Sequence, residues 1–250
     1  MKNFAKFYLF VFIFFTNNLN VDAQISQSKW QIGANAGYIV YQGDLTPKLL
    51  GNYNTLKPTV GINISRILSP SFKLRTALSS GKLVGNEILY SKPAFRQERN
   101  LRFSSPVTEI SEILVYNFLN KSYNNNRKFS PYIFAGVGVS FLKIDRFPND
   151  TSTIYLENEI GAALKLSLDL QTTLPKSTWV IPIGLGVEYS VSPSVSVNAE
   201  INFRFTGTDY LDGFSKVANP NSNDRYYSSV LGIIYKFKKK SMLDCPVLRY

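Results

Sequence analysis

The chain contains 250 residues, with 28 Lys and Arg against 17 Asp and Glu, a formal net charge of +11, one cysteine and no histidine. Without histidine it cannot build a Ser-His or Asp-His catalytic pair, and one cysteine cannot close an internal disulfide or complete a Cys/His zinc site. Basic residues are scattered except in one short tail, which favours anionic lipid headgroups or an acidic protein over nucleic acid as partners.

The N-terminus predicts an exported protein. Lys2 and Lys6 precede an unbroken apolar run from Phe7 to Phe15, and the compact segment Val21-Asp22-Ala23 follows. This is the order of a secretory signal peptide, and the apolar run is too short for a membrane-spanning helix, which needs about 20 residues. We therefore predict a signal peptide over residues 1–23.

The remainder contains short segments in which apolar and polar residues alternate. They span residues 30–41, 58–68, 72–83, 107–118, 130–142, 179–189, 195–205 and 226–237. Ser-Pro-Ser turns and the segment 119–129 make the shorter connections, whereas longer polar loops cover 42–57, 84–106, 143–178 and 207–225. Alternation with a period of two predicts strands, and connections that alternate in length are typical of a membrane β-barrel.

The sixth segment shows most clearly which face meets lipid. Trp179 and Tyr189 end its apolar face, separated by about 33 Å along a strand, or about 23 Å across a membrane at a tilt near 45°. We expect the same outward face in the first and seventh segments, through Trp30, Ile32, Ala34, Ala36, Tyr38 and Val40 and through Val195, Val197, Ala199, Ile201, Phe203 and Phe205. The predicted fold is all-β, an eight-stranded antiparallel transmembrane β-barrel of the OmpA-like up-and-down type, over residues 24–237.

A soluble β-sandwich or lipocalin-like barrel remains an alternative. It also alternates, but it would bury the apolar face and expose the small and polar residues, such as Gly184, Gly186, Glu188 and Glu200. Aromatic residues at the ends of the strands and the unequal loops favour the membrane barrel.

An even number of strands places both termini on the same side as the short turns, which is the periplasmic side of an outer-membrane barrel. We therefore expect residues 238–250 to form a basic periplasmic tail, and the long loops to be extracellular. The expected location is the outer membrane, with lipid and lipopolysaccharide around the barrel.

An eight-stranded barrel is just wide enough for side chains to fill its interior, and buried charges there must be paired. We predict an interior ion-pair network and no open pore, formed by Lys73, Arg75, Glu188, Glu200 and Arg204. In the fourth segment Glu109 and Glu112 fall on opposite faces, so one of them must face lipid unless a bulge intervenes.

Two carboxylate pairs lie in the predicted loops, Glu157 with Glu159 and Asp209 with Asp212. A solvated loop edge is the favoured interpretation, and calcium ligation is the alternative. We expect no enzyme activity, cofactor, metal site or small-molecule substrate; an enzyme that relies on carboxylates alone is the remaining catalytic alternative.

Several short blocks resemble a known family. They are Tyr41-Gln42-Gly43-Asp44-Leu45, Gln97-Glu98-Arg99-Asn100-Leu101-Arg102-Phe103, Pro131 to Gly138, Ile181 to Gly186, Thr208-Asp209-Tyr210-Leu211-Asp212 and Cys245-Pro246. Their order and content are similar to those of the PorG-like outer-membrane barrels of the type IX secretion system. Glu112 departs from the pattern, and the loop 143–178 is too divergent to align. The loop residues that carry the resemblance are Gly43, Asp44, Gln97, Arg99, Asn100, Phe103, Asp209, Tyr210 and Asp212.

The resemblance implies a non-enzymatic subunit of a protein-export machine, in contact with a periplasmic ring of PorK- and PorN-like proteins. The docking element would then be the tail, through Lys238, Lys239, Lys240 and Cys245. Two alternatives stay open: the tail lysines face lipid headgroups, or the chain is an OmpA-like structural or adhesive barrel without a role in secretion.

Overall fold

A computed structural model describes residues 29–46, 52–92, 95–119, 128–147, 162–218 and 223–237. The predicted signal peptide, residues 1–23, and the predicted tail, residues 238–250, lie outside the described residues. None of the described helices is long and apolar enough to cross a membrane.

Eight long strands and one short strand form the fold. They are β1 (Trp30–Gln42), β2 (Lys57–Ile67), β3 (Phe72–Asn86), β4 (Arg102–Asn117), β5 (Phe129–Leu142), the short β6 (Asp145–Phe147), β7 (Ser177–Ser190), β8 (Val195–Thr206) and β9 (Arg225–Lys236). Every pairing is antiparallel, and β3 pairs with β4 while β1 pairs with β9, so the eight long strands close into a barrel. β6 adds only an extra pairing to the end of β4. The predicted eight-stranded antiparallel barrel is confirmed.

Alternate side chains point outward and inward along each strand, as strand geometry requires. The exposed residues Trp179, Ile183, Leu185 and Tyr189 share one face of β7, whereas Glu188 on the other face is buried. The outer face is therefore apolar and the interior polar, which is the reverse of a soluble barrel.

One end of the barrel, here named the turn end, carries two tight Ser-Pro-Ser turns. In the first, the Ser69 hydroxyl accepts a hydrogen bond from the Phe72 amide at 3.1 Å, and in the second, the Ser192 hydroxyl accepts one from the Val195 amide at 3.0 Å. Serine favours such turns because its hydroxyl satisfies a nearby backbone donor. The opposite end, here named the loop end, carries the long connections.

The loop end holds more regular structure than the sequence predicted. β3 runs to Asn86 and β4 begins at Arg102, so much of the predicted loop 84–106 is hairpin, with a short helix α1 (Phe95–Arg99) between the strands. The predicted loop 143–178 contains β6 and the helix α2 (Ala162–Gln171). The hairpin was missed because a strand that continues beyond the membrane no longer needs an apolar outer face, and its alternation disappears.

Val40 was predicted to face outward, but it is 1 % exposed. It lies near the loop end of β1, where the turn Tyr53–Thr55 contacts the same strand. An apolar residue near the end of a barrel strand can thus be covered by a loop instead of by lipid.

Candidate functional site

The interior of the barrel contains three groups of buried charges. Nearest the turn end, the Lys73 ammonium lies 2.9 Å from one oxygen of Glu188, and the Lys236 ammonium lies 2.7 Å from the other. Glu188 is 1 % exposed. Two cations from β3 and β9 therefore satisfy one carboxylate from β7, and they tie distant strands together across the interior.

The second group is centred on Glu200 of β8. Its Oε1 accepts hydrogen bonds from Arg75 at 2.7 Å, from the Tyr132 hydroxyl and from the Asn198 amide at 3.0 Å. Arg75 also lies 5.8 Å from the centre of the Tyr132 ring, within the range of a cation–π contact. A buried carboxylate that is paired and hydrogen-bonded in this way is the form in which charge is tolerated inside a protein.

The third group joins β4, β8 and β9. The Arg204 Nε donates to Glu109, which also accepts from the Tyr226 hydroxyl at 2.9 Å, and Arg204 Nη1 donates to the Ser228 hydroxyl at 2.7 Å. Ser140 of β5 contacts the Tyr226 hydroxyl at 2.7 Å. Four strands thus meet at one hydrogen-bonded charge pair.

The residues predicted as one network lie in the interior as three separate groups. Arg204 pairs with Glu109, which was not predicted to belong to the network. Lys236, the second partner of Glu188, was not predicted either. In the sequence, only the alternation along β4 bears on Glu109. Alternation shows which residues share a face of the strand, but not which strand across the barrel supplies the partner of a buried side chain.

Above these groups, the loop end is closed by an apolar core. It consists of Ile39, Tyr41, Leu45, Leu83, Leu101, Phe103, Val107, Leu142, Leu166, Val180, Leu211, Phe214, Val217 and Tyr226. Four of the connections contribute to it together with the strand ends. This closure, here named the loop-end cap, has the composition of a soluble protein core.

Glu87 holds one side of the cap. It is fully buried and accepts from Arg96 at 3.1 Å, from two nitrogens of Arg99 and from the Leu101 amide at 3.2 Å. Arg96 also donates to the Asp44 carbonyl at 2.9 Å, and Arg99 donates to the Val217 carbonyl at 2.9 Å. One carboxylate therefore organises two arginines that reach two further loops.

Arg146 and Asp169 hold the other side of the cap. The Arg146 guanidinium donates to the carbonyls of Leu170, at 2.7 Å, and Thr172, at 3.3 Å, at the C-terminal end of α2. A cation there is favoured by the carbonyls that a helix end leaves without partners. Asp169 is fully buried and accepts from the amides of 215–217 and from the Tyr210 hydroxyl at 3.1 Å.

The centre of the cap concentrates negative charge. The Tyr41 hydroxyl lies 2.7 Å from a carboxylate oxygen of Asp212 and 2.7 Å from one of Asp224, although it has only one proton to donate. Carboxylate oxygens of Asp44, Asp209 and Asp224 lie within 4.8 Å of one another. A shared proton or a hard, oxygen-binding cation would offset this charge. Asp212 is fully buried, so the predicted solvated loop edge is wrong for this residue; Glu157 and Glu159 lie outside the described residues.

Burial raises the pKa of Asp212 well above its ordinary value of 3.8. Burial, and then the charge of Asp212, raise the pKa of Asp224 in the same direction. The closed cap therefore binds protons more tightly than an open one. The stabilisation that this proton binding gives the closed cap is complete below about pH 4. It is lost as the pH rises toward the higher pKa of the closed cap, by about 1.4 kcal/mol per pH unit for each extra proton that the closed cap holds.

Asp212→Asn should remove much of this pH dependence and protect the cap at pH 8. The amide oxygen can still accept from the Phe214 amide, and the NH₂ group can donate to Tyr41, whose proton then goes to Asp224. Hydrogen exchange of the Leu211 and Phe214 amides at pH 5 and pH 8 measures the effect. Asp145→Asn, at an exposed position, is the control; equal pH dependence in both variants would contradict the assignment.

Residues of the predicted family motifs meet in this cap although they come from distant segments. The carboxylates of Asp44 and Asp209 lie close together, and Arg99 forms an ion pair with Glu87. The Tyr210 hydroxyl donates to Asp169. Tyr41 donates to Asp212 and packs against the ring of Phe103. Gly43 leaves no room for a Cβ atom beside Tyr41 and Asp224. Asn100 has a φ of 48°, a conformation that asparagine tolerates, and it accepts from Arg102 at 3.1 Å. Gln97 is exposed, on α1. The residues predicted to dock a periplasmic partner, Lys238, Lys239, Lys240 and Cys245, lie outside the described residues.

Solved structures with the same architecture are outer-membrane barrels. Neisserial surface protein A matches with a TM-score of 0.51 at 14 % identity, over 85 % of this chain and all of its own. OprG from Pseudomonas aeruginosa gives a TM-score of 0.43 at 11 % identity, over 86 % of this chain and 99 % of its own. Ail from Yersinia pestis also gives 0.43, at 10 % identity, over 86 % of this chain and all of its own.

The closed antiparallel sheet of eight long strands and the match to neisserial surface protein A together show the fold of an outer-membrane β-barrel. No curated protein is significantly similar to the chain in sequence. A family model described as a domain of unknown function, DUF6089, matches residues 5–245, nearly the whole chain. The protein therefore belongs to the DUF6089 family, and in this member the domain forms a closed eight-stranded barrel with charge pairs in its interior and a folded loop-end cap.

Proposed function

We propose that this protein is a non-enzymatic outer-membrane subunit of the type IX protein secretion machinery, resembling PorG, and that it anchors a periplasmic ring of PorK- and PorN-like proteins. The observation that carries the proposal is the convergence of the motif residues. Segments around residues 43, 99 and 210, which supplied the resemblance, assemble into one cap. Their shared packing explains why these blocks would occur together in such a family.

The interior supports a scaffold role. Each of the three interior carboxylates Glu109, Glu188 and Glu200 contacts a cation from another strand. Such pairs stiffen the barrel, and they leave none of these three acids free to act as a general base. In the described part of the chain, the interior is therefore suited to holding a shape.

The docking element in this proposal is the tail beyond β9. Lys236, the last residue of β9, contacts Glu188 near the turn end, so the chain leaves the barrel there. Lys238, Lys239 and Lys240 follow within four residues. Consecutive lysines attract an acidic partner surface, and salt weakens that attraction.

Deletion of residues 238–250 should leave a folded barrel that no longer recovers the ring proteins in a pull-down from solubilised outer membranes. The barrel should keep its heat-modifiable migration, because its pairings end at Lys236. A variant with Lys238, Lys239 and Lys240 changed to Gln is the matched control for charge. It should lose as much recovery as the deletion at low salt, and added salt should lower the recovery of the unaltered protein in the same way. Unchanged recovery after deletion would move the docking surface to the turns at 69–71, 119–129 and 192–194.

The proposed orientation places the loop end outside the cell and the turn end in the periplasm. Tyr53 at the loop end is 72 % exposed, and Pro193 at the turn end is also exposed. In a Cys245→Ser background, Tyr53→Cys should react with a membrane-impermeant maleimide on intact cells. Pro193→Cys should react only after the outer membrane is broken; the reverse pattern would invert the topology.

A structural or surface-adhesive barrel is the second candidate. The fold likeness to neisserial surface protein A, at a TM-score of 0.51, favours it. In that case the loop-end cap would be the recognition surface, with lipopolysaccharide or another surface ligand as its partner. Loss of the gene would then change envelope integrity or adhesion, while export of proteins with type IX signals would continue.

A further inference from the structure

The outer face of the β3–β4 hairpin carries a carboxylate. Glu109, Ser111 and Ile113 are buried inside, and the register of β4 with β3 is continuous, so the side chain of Glu112 points outward. It is the one acidic side chain among the outward positions of the eight long strands as described. No bulge turns it inward.

Glu112 lies near the middle of the apolar band. Four residues toward the turn end, Tyr116 stacks against Phe72 at 5.1 Å in an aromatic cluster. Four residues toward the loop end, Thr108 pairs with Phe141, an exposed aromatic residue of β5. Each distance is about 13 Å along the strand. Aromatic residues mark the two edges of the band in such barrels, so Glu112 is about equally far from both.

The hydrogen bonds of this surface are incomplete. The Thr76 hydroxyl donates to Glu112 Oε1 at 2.6 Å. Four residues further along the hairpin, beyond the outward aliphatic pair Leu78 and Ile110, the hydroxyls of Ser80 and Thr108 lie 3.3 Å apart. Glu112 Oε2 is buried and has no hydrogen-bond partner within the described chain. We name Thr76, Ser80, Thr108 and Glu112 the β3–β4 polar strip.

Among the described residues, none supplies a second donor at this position. Apart from Thr76, the outward neighbours of Glu112 are aliphatic, namely Ile110, Leu114, Leu78 and Val137. A carboxylate in hydrocarbon is costly, and such residues occur where a partner compensates the charge. Lipid headgroup amines lie at the edges of the band, not at its centre.

We propose that the β3–β4 polar strip is a docking site, within the membrane, for a segment of another protein that presents a Lys or Arg side chain to Glu112. Charge complementarity selects this occupant over a second copy of the chain. Two copies related by a two-fold axis would oppose one strip to the other and bring together only hydroxyls and carboxylates, with no cation for either acid. The proposal is independent of the secretion role, because it rests on the hairpin alone.

Photo-cross-linking in cells tests the proposal. A benzophenone amino acid is placed at position 110, beside Glu112, or at position 231, on the opposite side of the barrel. Each of these two probes is tested alone and together with Glu112→Leu, Glu112→Gln or Thr76→Val. We expect one protein adduct at position 110 and none of that mass at position 231. The yield of this adduct should fall at least about tenfold with Glu112→Leu, which removes both the charge and the hydrogen-bond acceptor. It should fall at least about threefold with Glu112→Gln, which removes only the charge, and by less than about threefold with Thr76→Val, which leaves the carboxylate in place.

The cross-linked peptide, identified by mass spectrometry, should be an apolar segment that contains Lys or Arg. Heat-modifiable migration reports whether each variant is folded, and Glu112→Gln decides the outcome if Glu112→Leu does not assemble. The proposal is overturned by an unchanged yield in Glu112→Gln, by an adduct of the chain with itself, or by lipid adducts alone.

Discussion

Arg204→Met should lower the free energy of unfolding of the barrel by about 3–5 kcal/mol, because it leaves the buried Glu109 carboxylate without its cation. The two side chains are 8 % and 3 % exposed, so water cannot take the place of the guanidinium. Only the Tyr226 hydroxyl would remain as a donor to Glu109. Urea titration of the protein in liposomes measures the change.

A second variant distinguishes loss of the charge pair from loss of packing. Arg204→Met combined with Glu109→Met should recover most of the stability, because two apolar side chains of similar volume remove the uncompensated charge. Arg225→Met is the control: this arginine is exposed at the loop end and lies 5.1 Å from the Phe205 ring, a contact worth about 0.5–1 kcal/mol. If Arg204→Met costs no more than Arg225→Met, the interior pair does not hold the barrel together.

Ala199→Arg should destabilise the inserted barrel by about 2–4 kcal/mol. Ala199 lies on the outer face of β8, beside Leu231 of β9 and Val187 of β7, and it is followed along that face by the exposed Ile201. An arginine there would have to reach an interface through hydrocarbon. The same urea titration measures the loss.

The matched control is Val195→Arg on the same face of β8. This residue lies next to the turn end, where an arginine can reach water, and the expected cost is at most about 1 kcal/mol. The inward neighbour Asn198 is a poor control, because it already donates to Glu200 and Tyr132. Equal costs at positions 195 and 199 would mean that this face of β8 does not lie in lipid.

The alternating pattern predicted the barrel because the order of apolar and polar residues within one strand shows which of its faces meets lipid. Outward Trp179, Ile183 and Tyr189 and inward Glu188 can be assigned from β7 alone. The Ser-Pro-Ser turns are equally local, since each serine bonds to a residue three positions away. The two-residue alternation, the turn residues and the loop lengths together were sufficient to predict the number and the direction of the long strands.

Interior partners could not be predicted in the same way. Arg204 and Glu109 are 95 residues apart, and Lys73 and Glu188 are 115 residues apart. The contacts between inward side chains depend on the stagger of the strands around the barrel and on the length of each side chain. The sequence of one strand does not give the stagger. The resemblance covered five of the fourteen apolar residues of the cap, among them Tyr41 and Phe103, but it did not show that they meet.

The sequence by itself therefore determined the class of fold, the number of long strands and, in strands that alternate as clearly as β7, which residues face outward, because these depend on near neighbours in the chain. Only the tertiary structure decided the three ion-pair groups, the folded cap and the inward position of Glu109 against the outward position of Glu112. The ion-pair groups and the cap depend on closure, which brings distant segments into contact, and the positions of the two acids depend on the continuous register of β4 with β3.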